Sequence, residues 1–337
     1  MSERRRRRGA PGNPQLPPPS GGPGSGSGRL PRLGLAAALC GAIVVGYLPA
    51  LGGGFVWDDV ALVADNPLVR ASDGLFRFWF TTEAYDYWPL TSSTFWLEWR
   101  LWGPHPAGYH ATNLVLHAVG SLLLWAVLRR LRFRGAYLGA LLFAVHPVNV
   151  ASVAWISQRK NLVAMLFFLL AVLWFLRDEE RRAGEGGPSR RGTPWYALSL
   201  GAFVLAVLGK GSAAVLPAVL LLLVWWRNGR LRGADLARVL PFALAGAALA
   251  AVNVWFQTHG EGPIRAAGPL ERALGASAAV WFYLSKALLP LDLAFFYPQW
   301  SVDPGSLRWW LPLAAAGVVS AALVRVRHTR TGRPLAL

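Results

Sequence analysis

Two adjacent carboxylates, Asp58 and Asp59, follow the first long hydrophobic run of the chain, in Gly54-Phe55-Val56-Trp57-Asp58-Asp59. At a membrane surface such a pair repels itself and stays hydrated only at a cost. One reading is chemistry: a general base, or a carboxylate linked to a metal ion. The other is a helix N-cap and a solvated turn ahead of Val60-Ala61-Leu62.

Further along, His110, Asn113 and His117 fall at i, i+3 and i+7, so one helical face carries all three. At the start of a membrane span this stripe must face protein, and Asn113 and His117 are expected in a hydrogen-bond network between helices. The face has no carboxylate or thiolate, so it does not suggest zinc. Pro147 is expected to break its helix and leave His146 beside exposed backbone, where a ligand could be met. Arg159-Lys160 either meets an anion or snorkels to headgroups. The chain has only three lysines, Lys160, Lys210 and Lys286; every other basic side chain is Arg. An ammonium is a compact point charge and a guanidinium a planar fork. This usage suggests an anion, such as a lipid phosphate, held at one membrane face.

These residues need a scaffold, and composition says which kind. Of 337 residues, 54% are hydrophobic and 15% charged, and 17 are Trp. Several apolar runs approach the roughly 18–20 residues that cross a bilayer core, without the polar faces of soluble helices. The Trp content suits many membrane–water interfaces. The formal charge of +17 does not point to nucleic acid, because the arginines cluster in short loops at one end of the apolar runs. No nucleic-acid partner is expected. The single Cys40 has no internal disulfide partner.

Spans are predicted over 33–51, 110–128, 135–153, 161–176, 195–209, 212–226, 239–257, 274–291 and 309–324. The fold class is all-α: a polytopic membrane helix bundle of 8–9 crossings with a long helical outer loop after the first. Residues 1–28, rich in Arg, Pro, Gly and Ser, read as a disordered basic cytoplasmic tail, 29–326 as the membrane domain, and 327–337 as a short basic tail. Arginines at 129–134, 177–191 and 227–238 place those loops and the N-terminus in the cytoplasm. The last spans leave two topologies open. Nine crossings put Arg325 outside; a re-entrant or interfacial 274–291, interrupted by Lys286, puts it inside and Tyr297 outside. The outer loop 52–109 holds seven of the 17 acids and six Trp, and is too aromatic to be disordered. Phe76-Arg77-Phe78-Trp79-Phe80 reads as part of an interfacial helix.

In order along the chain, Phe55-Val56-Trp57-Asp58-Asp59 with Asp65-Asn66-Pro67, Tyr87-Trp88-Pro89-Leu90-Thr91, Gly108-Tyr109-His110-Ala111-Thr112-Asn113, Leu142-Phe143-Ala144-Val145-His146-Pro147, Val153-Ala154-Trp155-Ile156-Ser157, Arg159-Lys160, Lys210 and Tyr283 through Tyr297-Pro298 resemble the GT-C glycosyltransferases. Most similar among these is the transmembrane and tetratricopeptide-repeat-containing (TMTC-like) group of protein O-mannosyltransferases and its bacterial relatives. The resemblance covers roughly 33–325. It implies a GT-C-like membrane domain, a polyprenyl-phosphate-linked hexose donor, mannose-like, and transfer to Ser or Thr hydroxyls of a protein acceptor on the outer face. It implies Asp58 or Asp59 as the base and His146, Arg159, Lys160 and Lys210 around the donor phosphate, with His110, Asn113, Lys286 and Tyr297 in support. These residues identify no cofactor, and a divalent metal is left open. A multi-pass protein of a bacterial cytoplasmic membrane, in contact with membrane lipid, is expected.

The departures from that group define the second reading. Ala151, Gln158 and Asn161 stand where relatives commonly carry acids, Gly211 follows Lys210 where animal members carry Glu, and no tetratricopeptide repeats follow the last span. A catalytically degenerate scaffold, or a lipid-binding partner subunit, fits these losses. A transporter is disfavoured, since no paired repeat of broken helices is readable.

Overall fold

In lipid a backbone must satisfy its own hydrogen bonds, and apolar runs do so as helices. The computed structural model describes residues 30–184, 193–259, 268–294 and 297–326, and among them there is no strand. The helices are α1 (Leu30–Tyr47), α2 (Pro67–Arg70), α3 (Gly74–Phe80), α4 (Pro89–Trp102), α5 (Pro106–Arg130), α6 (Ala136–Val145), α7 (Val150–Ala154), α8 (Arg159–Gly184), α9 (Pro194–Gly209), α10 (Leu216–Asn228), α11 (Gly233–His259), α12 (Pro269–Leu288) and α13 (Trp310–Val326). The tails expected at 1–28 and 327–337 lie outside the described residues.

Among the described residues, six stretches are long and apolar enough to cross a membrane, containing α1, α5, α8, α10, α11 and α13. A seventh is the pair 136–145 and 147–154, bent by 50°. This is an all-α bundle and a multi-pass integral membrane protein. The difference from eight to nine crossings has two sources. α9 is apolar but only 16 residues long, about 24 Å at helical rise. α12 carries Glu271, Arg272 and Lys286 within its 20 residues and is not among the six. Pro147 acts as expected: α6 stops at Val145, and a 3-10 turn, Pro147–Asn149, redirects the chain.

Two apolar clusters hold the bundle. One joins α8 to α11 through Phe175, Phe203, Leu216, Leu220 and Phe242. The other joins α1, α5, α6 and α8 through Leu39, Ile43, Leu114, Ala140 and Leu162. The α6 alanines 136, 140 and 144 recur at i+4 and are buried, and small residues of this kind let neighbouring backbones approach. The 52–109 segment has its own small core of Val63, Leu68, Val69, Phe78 and Phe95, joined by Tyr109 and Ile156. Gly74 is required there, since a Cβ would lie 1.7 Å from the Leu68 carbonyl oxygen. α3 turns Phe78 inward and leaves Phe76 and Phe80 exposed, an amphipathic arrangement.

At the C-terminal end of α8 the arginines are paired. Asp178 is buried and accepts hydrogen bonds from Arg182, Arg238 and Thr193. Glu179 pairs with Arg238 at 3.0 Å and Arg227 at 3.6 Å, and Glu180 with Arg130 at 3.3 Å. Because α8 runs from Arg159 to Gly184, the cluster from Asp178 to Arg182 lies about 29–35 Å from Arg159 along the helix.

Candidate active site

The paired carboxylates separate completely. Trp57, just before them, has φ 51°, in the left-handed region that non-glycine residues rarely adopt. Asp58 is exposed and Asp59 is fully buried. Asp59 Oδ2 accepts the Val56 N–H at 3.1 Å, and Oδ1 accepts the Ser157 N–H at 2.7 Å. Burial pushes this carboxyl above the ordinary carboxylate range, against the two N–H donors, which favour its charged form. Asp59 does not cap the helical turn that follows it. It ties the 52–59 segment to the turn that presents Arg159 and Lys160.

Arg159 opens α8 and is fully buried. Its guanidinium donates to Asn113 Oδ1 at 2.7 Å, to the Tyr109 carbonyl at 2.8 Å, to Thr94 at 3.3 Å and to the Glu98 carboxylate. Phe95 and Tyr109 flank it, with ring centroids at 4.8 and 5.9 Å. Burial raises the Glu98 carboxyl, and the charge of Arg159 opposes that rise. Every side of this cation is taken by protein. Asn113 Nδ2 donates to the Val153 carbonyl at 3.1 Å, and His117 Nε2 to the Ala144 carbonyl at 2.8 Å. The stripe on α5 therefore faces inward and joins helices. His110, also buried, lies against Gly53, whose absent Cβ would meet Nε2 at 3.1 Å.

Lys160 differs from its neighbour. Its ammonium sits over the Trp88 ring at 3.8 Å, and no hydrogen bond from it is seen among the described residues. Asp58 and Asp86 attract it, while Lys210 repels it. Lys210 joins α9 to the turn Gly211–Val215, and its Nζ donates to Asn161 Oδ1 at 2.5 Å. Burial pushes Lys210 below its ordinary value. Asn161 Nδ2 in turn donates to Ser152 and Gln158. Thr91 Oγ1 donates to the Gly209 carbonyl at 3.0 Å, fixing α4 to the end of α9 beside Lys210.

A groove of about 270 Å³ opens next to this pair, lined by Asn161, Ala164, Met165, Phe168, Lys210, Ser212 and Ala213. Residues 161, 164, 165 and 168 form one face of α8. Its polar groups are at the Lys210 end; the rest is apolar.

The other expected residues lie elsewhere. His146 Nδ1 accepts the Val148 N–H at 3.2 Å and so caps the turn after α6. Lys286, in the last turn of α12, donates to the Leu291 and Asp292 carbonyls, and the Tyr297 hydroxyl accepts the Ala294 N–H at 3.0 Å in the segment that follows. Among the described residues no three His, Cys, Asp or Glu side chains gather as a metal site would. Sequence reasoning did not single out Glu98, Trp88 or Asp86. A lone carboxylate in the apolar run Thr94-Phe95-Trp96-Leu97-Glu98-Trp99 was the available signal for Glu98, because a charge there needs a partner.

The helical architecture defines a polytopic membrane protein, in which Lys160 and Lys210 lie near an exposed carboxylate and Lys210 lines a groove. The comparisons narrow the class. The chain is 36% identical over 187 residues to human protein O-mannosyl-transferase TMTC1, covering 51% of this chain and 21% of that protein. It is 32% identical over 210 residues to human protein O-mannosyl-transferase TMTC4, covering 55% and 28%. It is 33% identical over 152 residues to protein O-mannosyl-transferase F38B6.6 of Caenorhabditis elegans, covering 41% and 22%. The chain is thus a TMTC-like relative that spans between 21% and 28% of the length of these proteins. No family model matches it, and no solved structure matches it.

Proposed function

We propose that this chain is a membrane glycosyltransferase that moves a mannose-like hexose from a polyprenyl-phosphate-linked donor to Ser or Thr hydroxyls of a protein on the outer membrane face. The observation that carries the reading is the proximity of Lys160 to both exposed Asp58 and Lys210, with Lys210 lining a largely apolar groove. The likeness to proteins named O-mannosyl-transferases supports it.

The lipid chain would lie along Ala164, Met165 and Phe168, with its phosphate at Lys210 and Lys160. The acceptor hydroxyl attacks the anomeric carbon and forms the new C–O bond. Asp58 takes the hydroxyl proton as general base. The bond from the anomeric carbon to the phosphate oxygen breaks, and its electron pair leaves with the phosphate. Negative charge grows on that oxygen, and two ammonium groups aimed at it stabilise the transition state more than the ground state. Asp59 and Arg159, read from sequence as base and phosphate ligand, are here assigned to the frame. No part in the transfer step is assigned to His146, His110, Asn113, Lys286 or Tyr297, whose contacts lie elsewhere.

A lipid-binding subunit without turnover is the second reading. It is favoured by the neutral Gln158–Asn161 hydrogen bond of 3.1 Å where the resembled group commonly has acids. Purified protein in lipid, given a polyprenyl-phosphate mannose and a Ser/Thr-rich peptide, separates the two. Consumption of the donor with labelling of the peptide supports the transferase; saturable binding without consumption of donor supports the subunit.

A further inference from the structure

We propose that Asn253 of α11 is a positioning residue that sets Lys160 and Lys210 relative to each other; the inference rests on reading those lysines as the phosphate seat. Three segments meet at its amide. Nδ2 donates to the Tyr87 carbonyl at 3.3 Å, and the next residue, Trp88, supplies the ring beneath Lys160. Oδ1 accepts from Gln257 Nε2 at 3.4 Å, which orients the amide. On its other side is Gly211, directly after Lys210, where a Cβ would come within 3.2 Å of Nδ2. Glycine at 211 therefore leaves the space that the amide occupies.

The physical need is plain. Two ammonium groups repel, and each must be held by something rigid. Lys210 is held by backbone: its N–H donates to the Ala206 carbonyl, and its carbonyl accepts the Ala213 N–H, both at 3.0 Å. Lys160 rests on Trp88, at the end of a non-helical strap between α3 and α4. That strap is fixed to α11 twice, by Asn253 on the Tyr87 carbonyl and by Phe256 against the Tyr87 ring at 5.4 Å. Asn253 thus holds the strap beneath Lys160 and packs beside Gly211, the neighbour of Lys210, with no hydrogen bond to either ammonium among the described residues.

The test is binding of a short-chain polyprenyl phosphate to the full chain in lipid nanodiscs, with donor KM and kcat from the transfer assay and a melting temperature for each variant. Asn253→Ala is expected to weaken binding about tenfold, and to raise donor KM similarly with little change in kcat. Trp88→Leu should do the same, whereas Trp88→Phe, which keeps a ring face, should retain most of the affinity. The double variant Asn253→Ala, Trp88→Leu should be no weaker than the weaker single one, because both act through one support. Unchanged binding in Asn253→Ala, full additivity in the double variant, or a lowered melting temperature with unchanged KM overturns the positioning role and leaves the lysine reading standing. If Lys210→Ala binds as well as the unaltered chain, the lysine reading is wrong and the positioning role falls with it.

Discussion

The Asp59 carboxylate accepts the backbone N–H of Ser157 at 2.7 Å, across 98 positions of chain. This bond fastens the first long loop to the turn from which Arg159 and Lys160 project, and it leaves Asp58 facing out.

Asp59→Ala leaves the N–H groups of Val56 and Ser157 without their carboxylate partner, and an unsatisfied buried donor costs about 1–3 kcal/mol. A lower melting temperature is expected, with Asp59→Asn intermediate because its amide oxygen still accepts. Asp58→Asn should melt like the unaltered chain. Equal stability of Asp58→Asn and Asp59→Ala would remove the structural role of Asp59.

Arg159→Ala strands the Glu98 carboxylate in a buried site, and breaking a buried pair from one side costs about 3–5 kcal/mol. Arg159→Ala, Glu98→Gln together should recover part of that loss, since no buried charge is left. Thermal unfolding of the four forms gives the coupling; independent, additive losses would contradict the pairing.

Gly74→Ala drives a methyl group into the Leu68 carbonyl, and over-packing costs about 1–3 kcal/mol or more. The loop core should loosen, seen as faster protease cleavage between 60 and 103. Cleavage at the unaltered rate would show that the α2–α3 contact gives way without cost.

Donor binding should depend on pH through Lys210. Burial lowers its pKa, and only the ammonium form attracts phosphate. Polyprenyl-phosphate affinity is therefore full well below the lowered folded value and is lost as pH rises through it, before the ordinary lysine value is reached. The stability term has the opposite sign. The folded chain gives up this proton before the unfolded chain does, so the penalty for burying the charge disappears over the same rise. Lys210→Arg should remove the Lys210 share of that loss and leave only what Lys160 contributes, because guanidinium stays protonated. Identical pH profiles for both forms would exclude Lys210 from the site.

Much of the frame was legible in the sequence, because periodicity and proline act locally. The break at Pro147 and the inward face of His110, Asn113 and His117 followed from spacing alone. The number of crossings did not, since α9 is too short and α12 too charged to be judged without their packing. Asp58 and Asp59 are identical in type and adjacent; only the turn at Trp57 and a partner 98 positions away make one buried and the other exposed. Arg159 and Lys160 present the same problem. Glu98 claims the first, Trp88 supports the second, and neither partner is local. Asn161, met in sequence only as a missing acid, turned out to be the partner of Lys210.

The most direct measurement is single-turnover transfer from polyprenyl-phosphate mannose to a Ser/Thr peptide by purified chain in lipid, with Asp58→Asn beside it. Loss of a general base costs about 10²–10⁴-fold in rate, so the variant should bind the donor normally and transfer at least a hundredfold more slowly. Transfer by Asp58→Asn at the unaltered rate would contradict the assignment of Asp58 as the base.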